Sequence, residues 1–268
     1  MLVTCVPPPP LSDFIELIWL SEGYVQPHAR ERLLPQGTVE LVFNLGEEPS
    51  QVYRGEEGRP ESFRGPLVSG PQAGFFAIDT ARPASVLGVH FRPGGAFPFF
   101  RPPVGELQDT HVALDALWGR AAAELEERVR EAPTPRAKLR AVEQALLARA
   151  ARPLERHPAV ELALRRFRSG WRVGPVREQV GLSERRFVEM FRAEVGLTPK
   201  LFCRVQRFQQ AVRRLAAGGP LEWAALALDC GYYDQAHLIR DFRTFSGLSP
   251  TAYLARRTAH LNHVPLPG

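Results

Sequence analysis

Gly181-Leu-Ser183, Phe187, Phe191-Arg192, Gly196-Leu-Thr-Pro199 and Phe202 are answered further along the chain by Gly231-Tyr-Tyr-Asp234, Leu238, Phe242-Arg243, Gly247-Leu-Ser-Pro250 and Tyr253. From Ser183 onward every pair is 51 residues apart, and only the glycine pair is 50 apart, so the second turn holds one extra residue. Self-similarity at a fixed period marks one structural unit used twice. In each unit a short apolar helix (Val173 to Val180; Leu221 to Cys230) runs to a glycine suited to a left-handed turn. Ser183 or Asp234 then caps a second helix, which Gly196 or Gly247 closes. The grammar predicts a helix-turn-helix near residues 173–195 and another near 221–246.

Counting 100° per residue separates the faces of each second helix. Phe187, Met190, Phe191 and Glu194 fall on one side, and Arg185, Val188, Glu189 and Arg192 on the other. The matching helix packs Leu238, Phe242 and Phe245 and presents Ala236, Ile239, Arg240 and Arg243, with Gln235 and His237 at its N-terminal edge. These are base-reading residue types: arginine pairs bidentately with guanine, glutamine with adenine, glutamate accepts from cytosine, and Val, Ala and Ile meet thymine methyls. Between the units, Pro199 at a helix N1 position starts Lys200 to Ala217, which Gly218-Gly219-Pro220 stops. About 19 residues make a rod of roughly 28 Å, to be set against the roughly 34 Å between successive major grooves. Lys200, at the start of this rod, is a candidate phosphate contact.

Charge divides the chain at the same place. Before Pro158 there are 17 basic and 20 acidic residues, a net −3, and after it 17 and 9, a net +8. Of the 34 basic residues only Lys138 and Lys200 are lysines, so the positive charge is carried by planar, multidentate guanidinium groups suited to phosphates and base edges. A basic half joined to a mildly acidic one reads as a polyanion-binding module coupled to a different task. Three cysteines (Cys5, Cys203, Cys230) make no disulfide framework or zinc pair, and no apolar run is long enough to span a bilayer. Met1 to Pro10 carries no charged leader before an apolar core, so a cytoplasmic location is expected.

Prolines and glycines crowd the first hundred residues, between alternating runs that read as strands. In Thr38 to Leu45, Val39, Leu41, Phe43 and Leu45 share a face; in Ser85 to Arg92, Leu87, Val89 and Phe91 do. Short strands and turns predict a small barrel or sandwich. The period becomes helical from Val112 to Arg130 and from Arg136 to Arg152, with Leu114, Leu117, Trp118, Ala121, Leu125 and Val129 on one stripe and Pro133 and Pro135 between the two segments. This predicts a helical hairpin joining the halves, with an edge left for a second copy of the chain.

From Pro158 to Arg257 the chain resembles the AraC-type transcriptional regulators. The likeness is carried by Gly181-Leu-Ser183 with Phe187 and Phe191, Gly196-Leu-Thr-Pro199, Arg207-Phe208 and Ala211, Gly231-Tyr-Tyr-Asp-Gln-Ala-His237, Phe242-Arg243 and Gly247-Leu-Ser-Pro250. It implies two helix-turn-helix units on one long helix, with bases read from the positions of Arg185, Val188 and Glu189 and of Gln235, Ala236 and Arg240. Val188 and Ala236 depart from a hydrogen-bonding reader in carrying no donor. Leu34-Pro-Gln-Gly37 before Glu40-Leu-Val-Phe-Asn44, Phe91-Arg-Pro-Gly-Gly95 and Leu117-Trp-Gly119 resemble an uncharacterised sensor domain that precedes this module in many bacterial regulators. That likeness implies a cupin-like β-fold with an unknown small-molecule effector. The His-x-His with a following Glu of metal-dependent cupins is absent.

The expected molecule is an α+β protein of two domains. Residues 1–111 form a small antiparallel β-barrel or cupin-like sensing domain, 112–157 the hairpin, and 158–268 an all-α domain of two helix-turn-helix units joined by a long helix. Expected partners are double-stranded DNA in two successive major grooves, a small-molecule effector, a second copy of the chain and RNA polymerase, with no membrane, metal or cofactor. The effector is expected in the front domain beside His90, Arg92, Phe43 and Phe91, where an apolar enclosure would carry few polar anchors. Arg207, Asp229 and Asp241, off the reading face, are assigned to pairs within the chain, Cys203 to packing, and His260-Leu-Asn-His263 to a terminal tail without a third metal ligand. An enzymatic front domain acting on a small metabolite is the competing reading, and no paired carboxylates, nucleophile elbow or phosphate loop speak for it.

Overall fold

The structure, a computed structural model, describes residues 1–56, 58–81, 84–219 and 222–267. Of the expected elements, Leu221 at the head of the second short helix and Pro220 in the stop before it lie outside the described residues.

Among the described residues, ten strands come from the front half: β1 (Leu2–Cys5), β2 (Ile15–Tyr24), β3 (Arg30–Leu33), β4 (Glu40–Asn44), β5 (Ser50–Arg54), β6 (Pro60–Phe63), β7 (Leu67–Ser69), β8 (Phe76–Asp79), β9 (Ala84–Phe91) and β10 (His111–Ala113). An eleventh, β11 (His263–Pro265), comes from the far end of the chain. They form a six-stranded sheet, ordered β1-β2-β9-β4-β7-β10, and a five-stranded sheet, ordered β11-β3-β8-β5-β6. The two ladders stay separate, so of the expected barrel or sandwich the barrel is not formed. At the centre Leu41 pairs with Val89 and Phe43 with Leu87, which puts the expected alternating faces on one side of the sheet. Trp19 lies opposite Gly88, and its indole occupies the space a side chain there would fill.

The helices that follow, expected as a hairpin between the halves, pack on the front sheet. They are α1 (Leu114–Trp118), α2 (Arg120–Glu131) and α3 (Pro135–Ala148), and Leu114, Trp118, Ala122, Leu125, Val129, Leu139 and Val142 are buried in one core with Ile18, Leu41, Phe43, Val89 and Phe91. The hairpin thus roofs the six-stranded sheet. A single helix from Val112 to Arg130 was expected; instead residues 111–113 pair with β7, and Gly119, at φ +60, breaks the remainder in two. That break rotates the stripe, so Ala122 is buried while Leu117 and Ala121 are half-buried. The apolar edge expected to meet a second copy is largely covered within this chain.

The C-terminal helices are α4 (Pro158–Arg168), α5 (Val173–Val180), α6 (Glu184–Val195), α7 (Pro199–Ala217), α8 (Trp223–Asp229), α9 (Gln235–Ser246) and α10 (Pro250–Arg256). The caps read from the sequence at Ser183, Asp234, Gly196 and Gly247 are made, and Thr198 and Ser249 add two more. The side chains of Ser183 and Asp234 accept from Arg186 N and His237 N, those of Thr198 and Ser249 from Leu201 N and Ala252 N, and Gly181, Gly196 and Gly247 close their helices in the left-handed region. The core around α7 also takes in Leu34 of the front half and Val264 of β11, with Phe75 packed against it. Residues 263–265, expected within the helical domain, complete the front sheet instead.

Candidate DNA-reading surface

On α6, Arg185, Glu189 and Arg192 are exposed and Val188 is half-buried, while Phe187, Phe191, Glu194 and Val195 are buried. On α9, Gln235, Ala236, Arg240 and Arg243 are exposed and Ile239 is half-buried, over a buried face of Leu238, Asp241, Phe242 and Phe245. Lys200 is exposed at the start of α7. The helical period places these faces, and the caps fix where each helix begins. At about 1.5 Å per residue, the 19 residues of α7 make a helix roughly 28 Å long.

Two of the predicted readers engage each other. Arg185 Nε donates to Glu189 Oε1 at 2.8 Å with both side chains largely in solvent, a pair that water and salt screen and DNA can replace. Arg192 turns toward the front domain, its Nη2 lying 3.4 Å from Gly105 O. Off the reading face, Asp241 is buried and accepts from Arg204 Nη2 at 2.7 Å, Asp229 pairs with Arg214 at 2.8 Å, and Arg207 stacks on Tyr232 with its guanidinium carbon 5.5 Å from the ring centroid. Burial, with Asp241 nearby, pushes the Tyr232 phenol far above its usual range, so its hydroxyl stays neutral. Tyr233 is 86% exposed at the head of α9, beside Gln235 and Ala236. A helical wheel on α9 misses it because it precedes the N-cap Asp234.

The predicted effector residues do not surround one space. Successive strand residues point to opposite faces, so Phe43 and Phe91 lie in the core under α1–α3 whereas His90 and Glu40 face the other way. His90 Nδ1 is 2.8 Å from Glu40 Oε1, and its Nε2 is 3.7 Å from Glu16 Oε2. Burial alone would lower the pKa of His90, but the hydrogen bond and charge of Glu40, with Glu16 behind, raise it above the ordinary histidine value. Arg92 Nε donates to Ser12 O at 2.9 Å. The aromatics that follow, Phe99 and Phe100, are buried against Phe91 and Trp118. A small cavity of about 40 Å³ lies instead between the sheets, among Thr38, Glu40, Ser69, Gln72, Phe76 and His263, and Thr38 Oγ1 is buried there without a hydrogen-bond partner. His263 and Glu31, on β11 and β3, bond at 2.7 Å, and His28 holds the other oxygen of Glu31 at 3.1 Å.

Two short, capped helices, α6 and α9, each following a shorter helix and a turn, give the helical half two units of helix-turn-helix form. Residues 177–256 match the family described as a helix-turn-helix domain, and residues 3–113 match a domain of unknown function (DUF6597). An uncharacterised HTH-type transcriptional regulator of Haemophilus influenzae is 28% identical over 90 residues, which is 34% of this chain and 30% of the relative. The chain thus matches less than a third of that relative's length. Among solved structures, ToxT from Vibrio cholerae is similar at a TM-score of 0.48 and 9% identity, over 89% of this chain and 98% of that one. ToxT from strain SCE256, bound to an unsaturated fatty acid, is similar at a TM-score of 0.47 and 6% identity, over 88% and 94%. Among the described residues no helix is long and apolar enough to cross a membrane.

Proposed function

We propose that the chain is a one-component, sequence-specific transcription regulator in which α6 and α9 enter two successive major grooves of duplex DNA. The observation that carries this reading is the equivalence of the two presented faces. Arg185, Val188, Glu189 and Arg192 on α6 occupy the same helical offsets as Ala236, Ile239, Arg240 and Arg243 on α9, and both sets lie outside the core. Arg185, Glu189, Gln235 and Arg240 are the residues for base edges, Val188, Ala236 and Ile239 for thymine methyls, and Lys200 and Arg243 for phosphates. The front domain, in this reading, senses a small molecule rather than transforming one. Its packing into the helical core through Leu34 and Phe75 supplies a route from such a ligand to the reading helices.

Selection of bound sequences from random duplex DNA with the full chain tests the reading. Two half-sites about one helical turn apart are expected, with affinity falling steeply as salt rises because arginine–phosphate contacts release counterions. Failure to enrich any sequence at low salt refutes it. A homodimer, recruitment of RNA polymerase and a cytoplasmic location are corollaries of the same reading. Light scattering at micromolar concentration tests the first of them, with a monomer as the contrary result.

A further inference from the structure

Both reading helices end against the front domain. Gly196 closes α6 at φ +93 and Gly247 closes α9 at φ +70. A Cβ built on Gly196 would overlap the ring of Pro71, and one built on Gly247 would lie 2.6 Å from Phe75 Cε1. Pro71 and Phe75 belong to the same short connection, residues 70–75, between β7 and β8. One loop therefore touches the C-terminal caps of both helices, while the ends that carry Arg185, Gln235 and Ala236 stay exposed.

That loop is held from behind. Gln72 is buried, and its Nε2 donates to Gly70 O at 3.1 Å and Thr110 O at 3.2 Å. Ala73 N donates to Asp109 Oδ1 at 2.6 Å, and Asp109 itself sits at φ +54, a conformation uncommon outside glycine. The guanidinium of Arg32 lies 5.3 Å from the centre of the Phe75 ring. The same front domain grips the rod between the units, because Gln206 Nε2 donates to Gln36 O at 3.2 Å and Gln209 Nε2 to Pro35 O at 2.8 Å.

Both units pack on α7, the first at Phe202 and the second at Arg204 and Phe208. Phe191 meets Phe202 at 5.6 Å between ring centres, and Phe208 meets Phe242 at 5.0 Å and Phe245 at 5.3 Å. A single helix sets the distance between units well, but long helices curve, so it sets their relative rotation less firmly. A brace across both caps supplies the missing constraint. DNA makes that constraint consequential, since a base pair added between half-sites turns one of them by about 35° around the duplex axis.

We propose that the 70–75 loop is a clasp that sets the spacing and rotation of the half-sites this protein accepts, with Pro71 and Phe75 as positioning residues that touch no DNA. The inference rests on the reading of α6 and α9 as the two DNA-reading helices. Its test uses the full chain and the duplex that the parent selects from random DNA. Affinity is measured for that duplex, for versions with one base pair inserted or removed between the half-sites, and for one with a single half-site intact.

The insertion is expected to cost the parent about tenfold in affinity and the Pro71→Ala, Phe75→Ala double variant about twofold or less, with single-half-site binding equal in both proteins. A role in stability alone would weaken binding to every duplex alike and overturn the proposal. If circular dichroism shows the double variant unfolded, Phe75→Ala alone, which removes the contact with the α9 cap and leaves Pro71 in place, is measured in the same way. A folded variant that keeps the parent's spacing preference overturns the clasp while leaving the DNA-reading helices in place. A parent that selects no duplex overturns both.

Discussion

Replacing His263 with alanine removes one of the two imidazoles on a buried carboxylate. Glu31 is 2% exposed, its Oε1 is 2.7 Å from His263 Nδ1, and its Oε2 is 3.1 Å from His28 Nε2. A hydrogen bond to a charged group contributes about 1.5–3 kcal/mol. The His263 side chain keeps 39% of its surface in water, and screening brings the expected loss down to about 1–2 kcal/mol. For a chain of this size that is a fall in Tm of roughly 2–8 °C. The pH dependence carries the sharper signature. Burial works against charge on His263, but Glu31, with Glu40 beyond it, raises its pKa above 6.5. Its contribution is therefore fully present below pH 6.5 and lost as pH rises through the elevated value. Burial raises the Glu31 pKa, but His263 and His28 together bring it below 4.5, so the carboxylate's contribution is present above pH 4.5 and lost as pH falls through its depressed value. The stability difference between parent and His263→Ala should thus be largest between about pH 4.5 and 6.5 and shrink toward pH 9. Thermal unfolding of both proteins across that range measures it. A difference that stays flat from pH 5 to pH 9 would refute the reasoning.

Other outcomes follow from the same structure. Arg185→Ala and Arg240→Ala should each cost about 1–3 kcal/mol on the selected duplex and relax preference at one base pair, whereas Arg243→Ala should weaken all sequences alike; binding to a panel of single-base variants separates the two patterns. Leu34→Ala, which opens space in the helical core from a front-domain strand end, should cost about 2–5 kcal/mol, and urea unfolding should show both halves melting earlier together. Burial pushes the Cys203 thiol up to about 11, so native protein at pH 8 should resist iodoacetamide at Cys203 until denaturant is added; rapid native labelling there would contradict the packing role.

The helical half was legible because its signals are local. Ser183, Asp234, Gly196 and Gly247 act within a turn of where they stand, and a wheel on Glu184–Val195 needs no knowledge of neighbours to separate Phe187 and Phe191 from Arg185 and Glu189. The front half was legible in its strands but not in their partners. The alternation in β4 and β9 says which side chains share a face, whereas the order β1-β2-β9-β4-β7-β10 depends on contacts between residues far apart in sequence. Gly119 could be tolerated inside a helix or could break one, and only packing on the sheet decides. The candidate effector set is divided between two faces of the sheet because His90 and Phe91 are adjacent on a strand and so face opposite ways. Three residues, His263-Val-Pro265, are too few to show any period, and nothing local marks them as a strand.

Those three residues have a consequence for synthesis. A sheet edge is a row of unpaired backbone groups that will join another chain if offered one, and β11 covers the β3 edge through Val264 opposite Arg32 and Pro265 opposite Glu31. The ribosome delivers β3 long before it delivers that cover. Throughout translation of the helical half the nascent front domain therefore carries an open edge, guarded by the charges of Glu31 and Arg32. Completing the helical half and sealing the sheet become a single late event, and cleavage of the chain ahead of residues 263–265 would expose the same edge again.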